Sequence, residues 1–409
     1  MSQWEQVHLL SCALRTRRFA DDEFAMDDDW LTDTESVTSG AVFSVIEKTV
    51  ATTNTSIDDE NVSMRSPSPE FDAVVEMDEP LRNNLYKQEF GRNLNSYSEV
   101  YTLPADEEEL DRLERQYDML NSLIGHKYVP PMTEVLVDDG SELQKAVLDL
   151  GTGSGNWIID VARDFPHCSA VAIDLTPMKV IQFTCRNRGE VDDINLGLEH
   201  YYGQFNVVHA RLVAIGVKDY YRLIDQISEV LRPGGLIDLT EVGYVAYDRH
   251  HQPIPVVDPT SSTKFEEWGR PYWAHWLRAV ANVARVHHGG EINASRAMKE
   301  WLDRHRAYTD VVHSEFWLPI IPGDYDRPPA EANFLKEFRI ALEYDVLTFL
   351  RSGRPMLLRA GYDESILLNV ERGIFDEMRS ANEPQYSRIE CVYAKKAKVI
   401  PPLPFDALP

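Results

Sequence analysis

The run Val147-Leu148-Asp149-Leu150-Gly151-Thr152-Gly153-Ser154-Gly155 constrains this chain more than any other stretch. Ala146 to Leu150 is apolar except for Asp149, the pattern of a parallel strand covered on both faces, and glycines follow at alternate positions. Glycine reaches backbone conformations closed to other residues and lets a ligand approach the chain, so the strand is expected to break into a tight turn. Trp157, Ile158, Val161 and Ala162 then recur at helical spacing, which places a helix directly after the turn. The first N–H groups of a helix have no partner inside it. Those of Gly155 to Trp157 are therefore expected to open onto whatever the turn holds, and an anionic group suits that position.

Such a turn also occurs as a plain strand-to-helix connection with no ligand. The next strand argues against that reading. Ala170-Val171-Ala172-Ile173-Asp174 is apolar and ends in a carboxylate 23 residues after Gly151. In doubly wound folds an acid at that place accepts hydrogen bonds from ribose hydroxyls. A nucleotide-like ligand is expected, held by Gly151, Thr152, Gly153 and Gly155 of the turn and by Asp174 with Leu175 beside it.

The spacing G-x-G-x-G puts Asn156 where a dinucleotide fingerprint has its last glycine or alanine, which disfavours a pyrophosphate and with it NAD. S-adenosylmethionine fits better. It offers ribose hydroxyls to Asp174 and an adenine, and in place of phosphates it carries a methionine carboxylate and ammonium. The carboxylate suits the helix N-terminus, and Asp149 can face the ammonium directly or through water. Val191-Asp192-Asp193-Ile194-Asn195 reads as the end of a third strand. There a carboxylate, Asp193 in preference to Asp192, can accept from the adenine amino group while the Ile194 N–H meets a ring nitrogen; acids also end strands merely because strand ends are solvated.

Charge is spread unevenly. Residues 1–80 hold 18 Asp or Glu against 5 Lys or Arg, a net −13 and half of the chain's −26. Nonspecific binding to nucleic acid or to an anionic membrane is disfavoured, because phosphate would meet repulsion. No apolar run approaches the ~20 residues of a membrane span. Arg15, Arg17 and Arg18 follow a short apolar patch where a secretory signal would have them precede it, and Asp21-Asp22-Glu23 cuts against a mitochondrial presequence. Cys12, Cys168, Cys185 and Cys391 form no C-x-x-C pair, so neither a metal site nor a disulfide framework is suggested, and a reducing compartment, cytoplasmic or nuclear, is expected.

Three regions follow: a disordered acidic tail over residues 1–80, one large domain over 81–397, and a Pro-rich tail over 398–409. In the first, Ser66-Pro67-Ser68-Pro69 reads as linker composition, with proline-directed phosphorylation as the alternative. Asp106 caps a helix predicted from Glu107 to Asn121, with Leu110, Leu113, Tyr117 and Leu120 on its apolar face; it is expected either to cover the ligand cleft or to pack against the sheet edge. Leu175-Thr176-Pro177 reads as a helix start. Phe205 to Ala210 reads as a fourth strand ending at the cleft mouth, and Val217 to Leu231 as a helix with Tyr221, Ile224, Ile227 and Leu231 inward. Arg232 to Gly235 reads as a turn launching a fifth strand, Leu236 to Thr240. Between Tyr247 and Tyr308, Phe265, Trp268, Tyr272, Trp273 and Trp276 form a stripe that is either core or the wall of a substrate pocket. A sixth strand over Asp310 to Ile320, helices over Ala330 to Arg351 and Tyr362 to Ser380, and a last strand over Arg388 to Ala394 complete the chain.

VLDLGTGSG, VAIDLTP, FNVVHARL and LRPGGLIDLTE, in that order, resemble the consecutive motifs of class I S-adenosylmethionine-dependent methyltransferases. GTGSGNWIIDVARDFP, EVDDIN and the upstream YTLPADEEELDRLERQYDML are similar to the fungal LaeA-like methyltransferases linked to secondary metabolism and velvet-type regulators. The likeness spans about Leu81 to Lys396. It implies an α/β, Rossmann-like fold: a seven-stranded, mostly parallel sheet with its last strand antiparallel, helices on both faces and added N-terminal and C-terminal helices. It implies cofactor contacts at Asp149, Gly151, Gly153, Asp174 and Asp193. The methyl acceptor is then a small fungal metabolite or a protein, and a velvet-type protein is an implied partner, through which a chain with little turnover could also act.

Methyl transfer is an in-line displacement whose largest lever is alignment in a dry cleft. It demands no particular acid or base, so Tyr117, His209 and Glu241 are catalytic candidates by position alone, and a lone strand-end histidine is more often structural.

Overall fold

The structure, a computed structural model, describes residues 43–45, 75–76, 84–178, 187–256, 269–322, 329–380 and 383–399. The expected phosphorylation sites, the acidic and Pro-rich tails apart from residues 43–45, 75–76 and 398–399, the helix after Pro177, and Phe265 with Trp268 lie outside them. In chain order the strands are β1 (Phe43–Val45), β2 (Val75–Glu76), β3 (Tyr86–Glu89), β4 (Arg92–Asn95), β5 (Ala146–Leu150), β6 (Ser169–Asp174), β7 (Asn187–Val191), β8 (Phe205–Arg211), β9 (Leu231–Tyr247), β10 (Tyr308–Ile321) and β11 (Gln385–Lys396). The helices are α1 (Glu107–Ile124), α2 (Pro131–Val135), α3 (Asn156–Asp164), α4 (Tyr220–Val230), α5 (Tyr272–Val283), α6 (Ala294–Arg304), α7 (Pro329–Arg359) and α8 (Glu364–Ser380).

Seven strands form the expected sheet in the order β10-β11-β9-β8-β5-β6-β7, and the short β1 and β2 extend it beyond β7. β5 pairs in parallel with both β6 and β8, so the strand order reverses at β5. Open α/β sheets bind ligands outside the C-terminal strand ends at such a switch point. β11 runs antiparallel to β9 and to β10, as the resemblance implied.

Side chains alternate across the sheet. Val147, Ala170, Ala172, Val207 and Leu236 face α2 and α3, packing with Trp157, Ile158 and Val161. Leu148, Leu150, Ile173, Val208 and Ile237 point the other way onto Tyr220, Ile224 and Ile227 of α4 and Met298 of α6. Burial on both faces is why these strands read as continuous apolar runs, and each buried Val, Leu or Ile among them contributes about 1.5–3 kcal/mol. Removing Leu148, which is fully buried, would cost about 2–5 kcal/mol. A separate core joins α5, α7 and α8 to the distal half of the sheet and to Met119, Leu120 and Leu123 of α1.

Three local expectations change, and a fourth that was left open is decided. Arg232 to Gly235 is a bulge inside a continuous β9, with pairing to β8 skipping from Phe205↔Leu231 to Val207↔Leu236. Gly234 takes φ 80°, and a Cβ on Gly235 would sit 2.9 Å from the Arg232 and Asn206 carbonyl oxygens, so the glycines let the excess residues loop out without breaking the strand. α4 begins after its Asp219 cap, which rotates Tyr220 inward and leaves Tyr221 exposed. α7 continues through Pro355 because Met356 and Leu357 beyond it are buried in the distal core. Of the aromatic stripe, the described Trp273 and Trp276 belong to that same core and do not line the cleft at the strand ends.

Candidate functional site

At the C-terminal ends of β5 to β8 lies a cleft enclosing some 1130 Å³ of space, counting the part open to solvent. Its floor is the glycine turn, where Gly151, Gly153 and Gly155 take φ of 68°, 56° and 84°. Two bonds stitch the turn to β6: the Gly151 and Thr152 N–H groups donate to the Ile173 carbonyl at 2.9 and 3.0 Å. A third comes from Gly153, whose N–H donates to Asp174 Oδ2 at 2.8 Å. A side chain at Gly151 would put its Cβ 2.6 Å from Val213.

Of the residues expected to hold the cofactor, Asp149, Gly151, Thr152, Gly153, Asp174, Leu175, Asp193 and Ile194 line the cleft. Gly155 does not. Its N–H is taken by the Thr152 carbonyl at 3.0 Å, and its α-carbon backs onto Met178, where a Cβ would lie 2.9 Å from the sulfur. It shapes the turn from behind, and only Asn156 and Trp157 of the helix start face the cleft. Asp192 also lines the cleft. It accepts from the Asp193 N–H at 2.8 Å, while Asp193 accepts from the backbone and side-chain nitrogens of Asn195 at 2.9 and 2.8 Å.

Burial raises the pKa of Asp174 to about 6, against the pull of the N–H groups of Gly153, Thr176 and Leu175. Asp149 is also pushed up by burial, which His209 and the Thr152 hydroxyl partly oppose. That hydroxyl donates to Asp149 Oδ2 at 2.6 Å.

The three catalytic candidates part company. His209 lines the cleft, stacks on Trp157 with ring centroids 3.9 Å apart, and meets Asp238 through Nδ1 at 2.9 Å. Its Nε2 is buried with no hydrogen-bond partner among the described residues. Tyr117 also lines the cleft, but its hydroxyl donates to Asp160 of α3 at 2.7 Å, and burial followed by that carboxylate raises its pKa. Glu241 lies outside the cleft lining. Its Oε1 accepts from the N–H groups of Val213 and Ala214 at 3.0 and 3.1 Å and from the Tyr220 hydroxyl at 3.0 Å. Glu241 therefore holds the loop that rests on Gly151, and in this geometry it reaches the cleft through that loop.

α1 roofs the cleft with Leu110, Leu113, Tyr117 and Leu120, which decides between the two expectations for this helix. Asp106 caps it by accepting from Glu109 N at 3.2 Å, and Arg92 of the β3–β4 hairpin grips Asp106 with two bonds of 2.6 and 2.7 Å. Arg112 is buried between Glu109 and Asp345 of α7, at 2.6 and 2.8 Å. The roof is thus bolted to α7, and through Tyr117 and Asp160 to α3.

Sequence reasoning missed Asp238 and Arg211 as site residues, and of Trp157 it expected only the N–H at the cleft. One signal was present. LDL, VHA and IDL in β5, β8 and β9 each carry one polar residue at the same height, and the register pairs Asp149 with His209 and His209 with Asp238. Asn206 accepts from Ala146 N at 3.0 Å and from Arg232 at 2.8 Å and so clamps the start of β5.

Residues 127–304 match the family model described as a methyltransferase domain. The "Secondary metabolism regulator laeA" of Coprinopsis cinerea is 38% identical over 316 residues, covering 77% of this chain and 75% of that protein. The "Methyltransferase pytC" of Aspergillus terreus is 28% identical over 330 residues, covering 77% of this chain and 93% of its own. A solved phosphoethanolamine N-methyltransferase of Haemonchus contortus is 17% identical over 72% of this chain and 61% of that one, with a TM-score of 0.36, too distant to bear on the site.

Proposed function

The chain belongs to the fungal LaeA-like class I methyltransferases, and from that premise we propose that its cleft binds S-adenosylmethionine and presents the methyl group to a small acceptor of secondary metabolism. The carrying observation is Asp174, held at the end of β6 by the Gly153 N–H at 2.8 Å and open to the cleft. Oδ2 takes the Gly153 N–H and Oδ1 the longer Thr176 N–H at 3.2 Å, which fixes the carboxylate and leaves each oxygen one acceptor direction for a ribose hydroxyl. The residues present fit the cofactor's other parts. Gly153 lines the cleft where a Cβ would intrude toward Leu113 at 3.1 Å, Asp149 supplies a negative charge for the ammonium, and Asp192, Asp193 and the Ile194 N–H face the adenine end.

When bound, the cofactor supplies an electrophilic sulfonium methyl. The chain's own part is alignment and exclusion of water. α1 lies over the cleft, and its ties to α3 and α7 make it a fixed roof, which favours a small acceptor over a protein side chain. His209, with Nδ1 facing Asp238, holds the tautomer that leaves Nε2 able to accept a proton from an acceptor that must lose one.

Calorimetry of the full chain tests this reading. S-adenosylhomocysteine should bind and NAD should not. Asp174→Ala should weaken the former by roughly ten-fold to a hundred-fold, as expected for hydrogen bonds to a charged acceptor. Equal affinity in the variant, or tighter NAD binding in the native chain, would sink the assignment.

A further inference from the structure

Among the described residues, Arg211 is the only Lys or Arg that lines the cleft. It makes no ion pair among them. Its single hydrogen bond, from Nη1 to Asn121 Oδ1, is 3.5 Å long, and its guanidinium sits over the Tyr117 ring at 4.8 Å from the centroid. Asp149 and Asp238 act on it only across space. A guanidinium cannot shed its proton, so the donors that Arg211 does not give to protein groups stay available in the cleft, to water or to a ligand. The Tyr117 ring occupies one face and leaves the N–H edge for an anion, the geometry in which arginine grips a carboxylate with two parallel bonds.

Its place in the sheet selects the source of that anion. Asp174 ends β6 and Asp192 and Asp193 follow β7, on one side of β5; Arg211 ends β8, on the other. The nucleoside therefore falls to the β6–β7 side and leaves the β8 side, beneath α1, for the acceptor. The roof that α1 lays over the cleft is mainly apolar, with Leu110, Leu113, Tyr117 and Leu120 beside Glu109 and Gln116, and its Tyr117 ring packs directly on the guanidinium. Of the nearby acids, Asp149 faces the cofactor ammonium in this reading and Asp238 is paired with His209.

We propose that Arg211 receives the carboxylate of the methyl acceptor, which is an organic acid on an apolar or aromatic body. This rests on the cofactor reading above. The rival source of the same group is the methionine carboxylate of the cofactor, and the test separates the two. With the full chain, S-adenosylhomocysteine is titrated into native protein and into Arg211→Met and Arg211→Lys, each first checked for a cooperative melt. Affinity should stay within about two-fold; a ten-fold loss in both variants assigns Arg211 to the cofactor and overturns the proposal. Benzoate and the neutral, isosteric benzamide are then titrated into the complexes saturated with S-adenosylhomocysteine. The native chain should prefer benzoate by at least ten-fold, Arg211→Lys should keep part of that preference, and Arg211→Met should lose it. No preference in the native chain, or one that survives in Arg211→Met, overturns the proposal. Native protein that fails to bind S-adenosylhomocysteine at all would instead bring down the cofactor reading beneath it.

Discussion

Glu241→Gln separates a structural carboxylate from a catalytic one. Glu241 is 1% exposed, and burial raises its pKa from the ordinary 4.5 to about 8, against the pull of Tyr220, Val213 and Ala214. Between those two values the folded chain holds a proton that the unfolded chain has lost, so stability falls as pH rises from 4.5 to about 8 and levels off above it. At about 1.4 kcal/mol for each tenfold change in proton affinity, the penalty above pH 8 is on the order of 5 kcal/mol. Glutamine keeps an oxygen where Oε1 accepts three hydrogen bonds and carries no charge to desolvate. The variant should therefore match the native chain near pH 5 and exceed it at pH 9, by roughly 10 °C in melting temperature at ~2 °C per kcal/mol. Thermal melts of both chains from pH 5 to 9 measure this, and groups common to both cancel in the difference. Parallel curves would show that the Glu241 carboxylate ionises without penalty and refute the reasoning. Loss of methyl transfer in a stable variant that still binds S-adenosylhomocysteine would restore Glu241 as a catalytic group.

Asp174 makes cofactor binding acid-sensitive. With its pKa raised to about 6, it is ionised above that pH and loses its charge below it, as Asp149, also shifted upward, does in the same direction. Affinity for S-adenosylhomocysteine should be flat above pH 7 and fall below 6, and Asp174→Asn, weak throughout, should show a shallower fall; a native profile flat to pH 5 would count against it. Arg112→Met leaves Glu109 and Asp345 buried without their counter-ion and should cost about 3–5 kcal/mol in denaturant unfolding; a loss under 1 kcal/mol would mean the roof is not bolted by this triad. Gly153→Val places a branched side chain at φ 56° against Leu113, and a folded variant should lose ligand-induced stabilisation and methyl transfer together. If that variant binds no cofactor yet restores the full phenotype in cells lacking the native chain, the protein acts as a scaffold.

What the sequence determined was the local chemistry. Strand β5, the turn, helix α3 and the acid ending β6 were legible because each depends on neighbours in the chain: apolar residues buried on both faces, glycines where φ must be positive, a carboxylate at a fixed distance. The strand count and the antiparallel last strand were legible only through the resemblance, and the strand order came with the structure. What the tertiary structure decided was which polar groups meet. Asp149, His209 and Asp238 lie tens of residues apart and share one row because the parallel register aligns them. Glu241, at a strand end that reads as cleft-facing, turns away because three donors from another segment claim it first. Arg211 reads as an ordinary strand-end arginine, and nothing local says that no acid will reach it. A charge is free or paired according to where distant segments come to rest, and one-dimensional spacing carries no record of that.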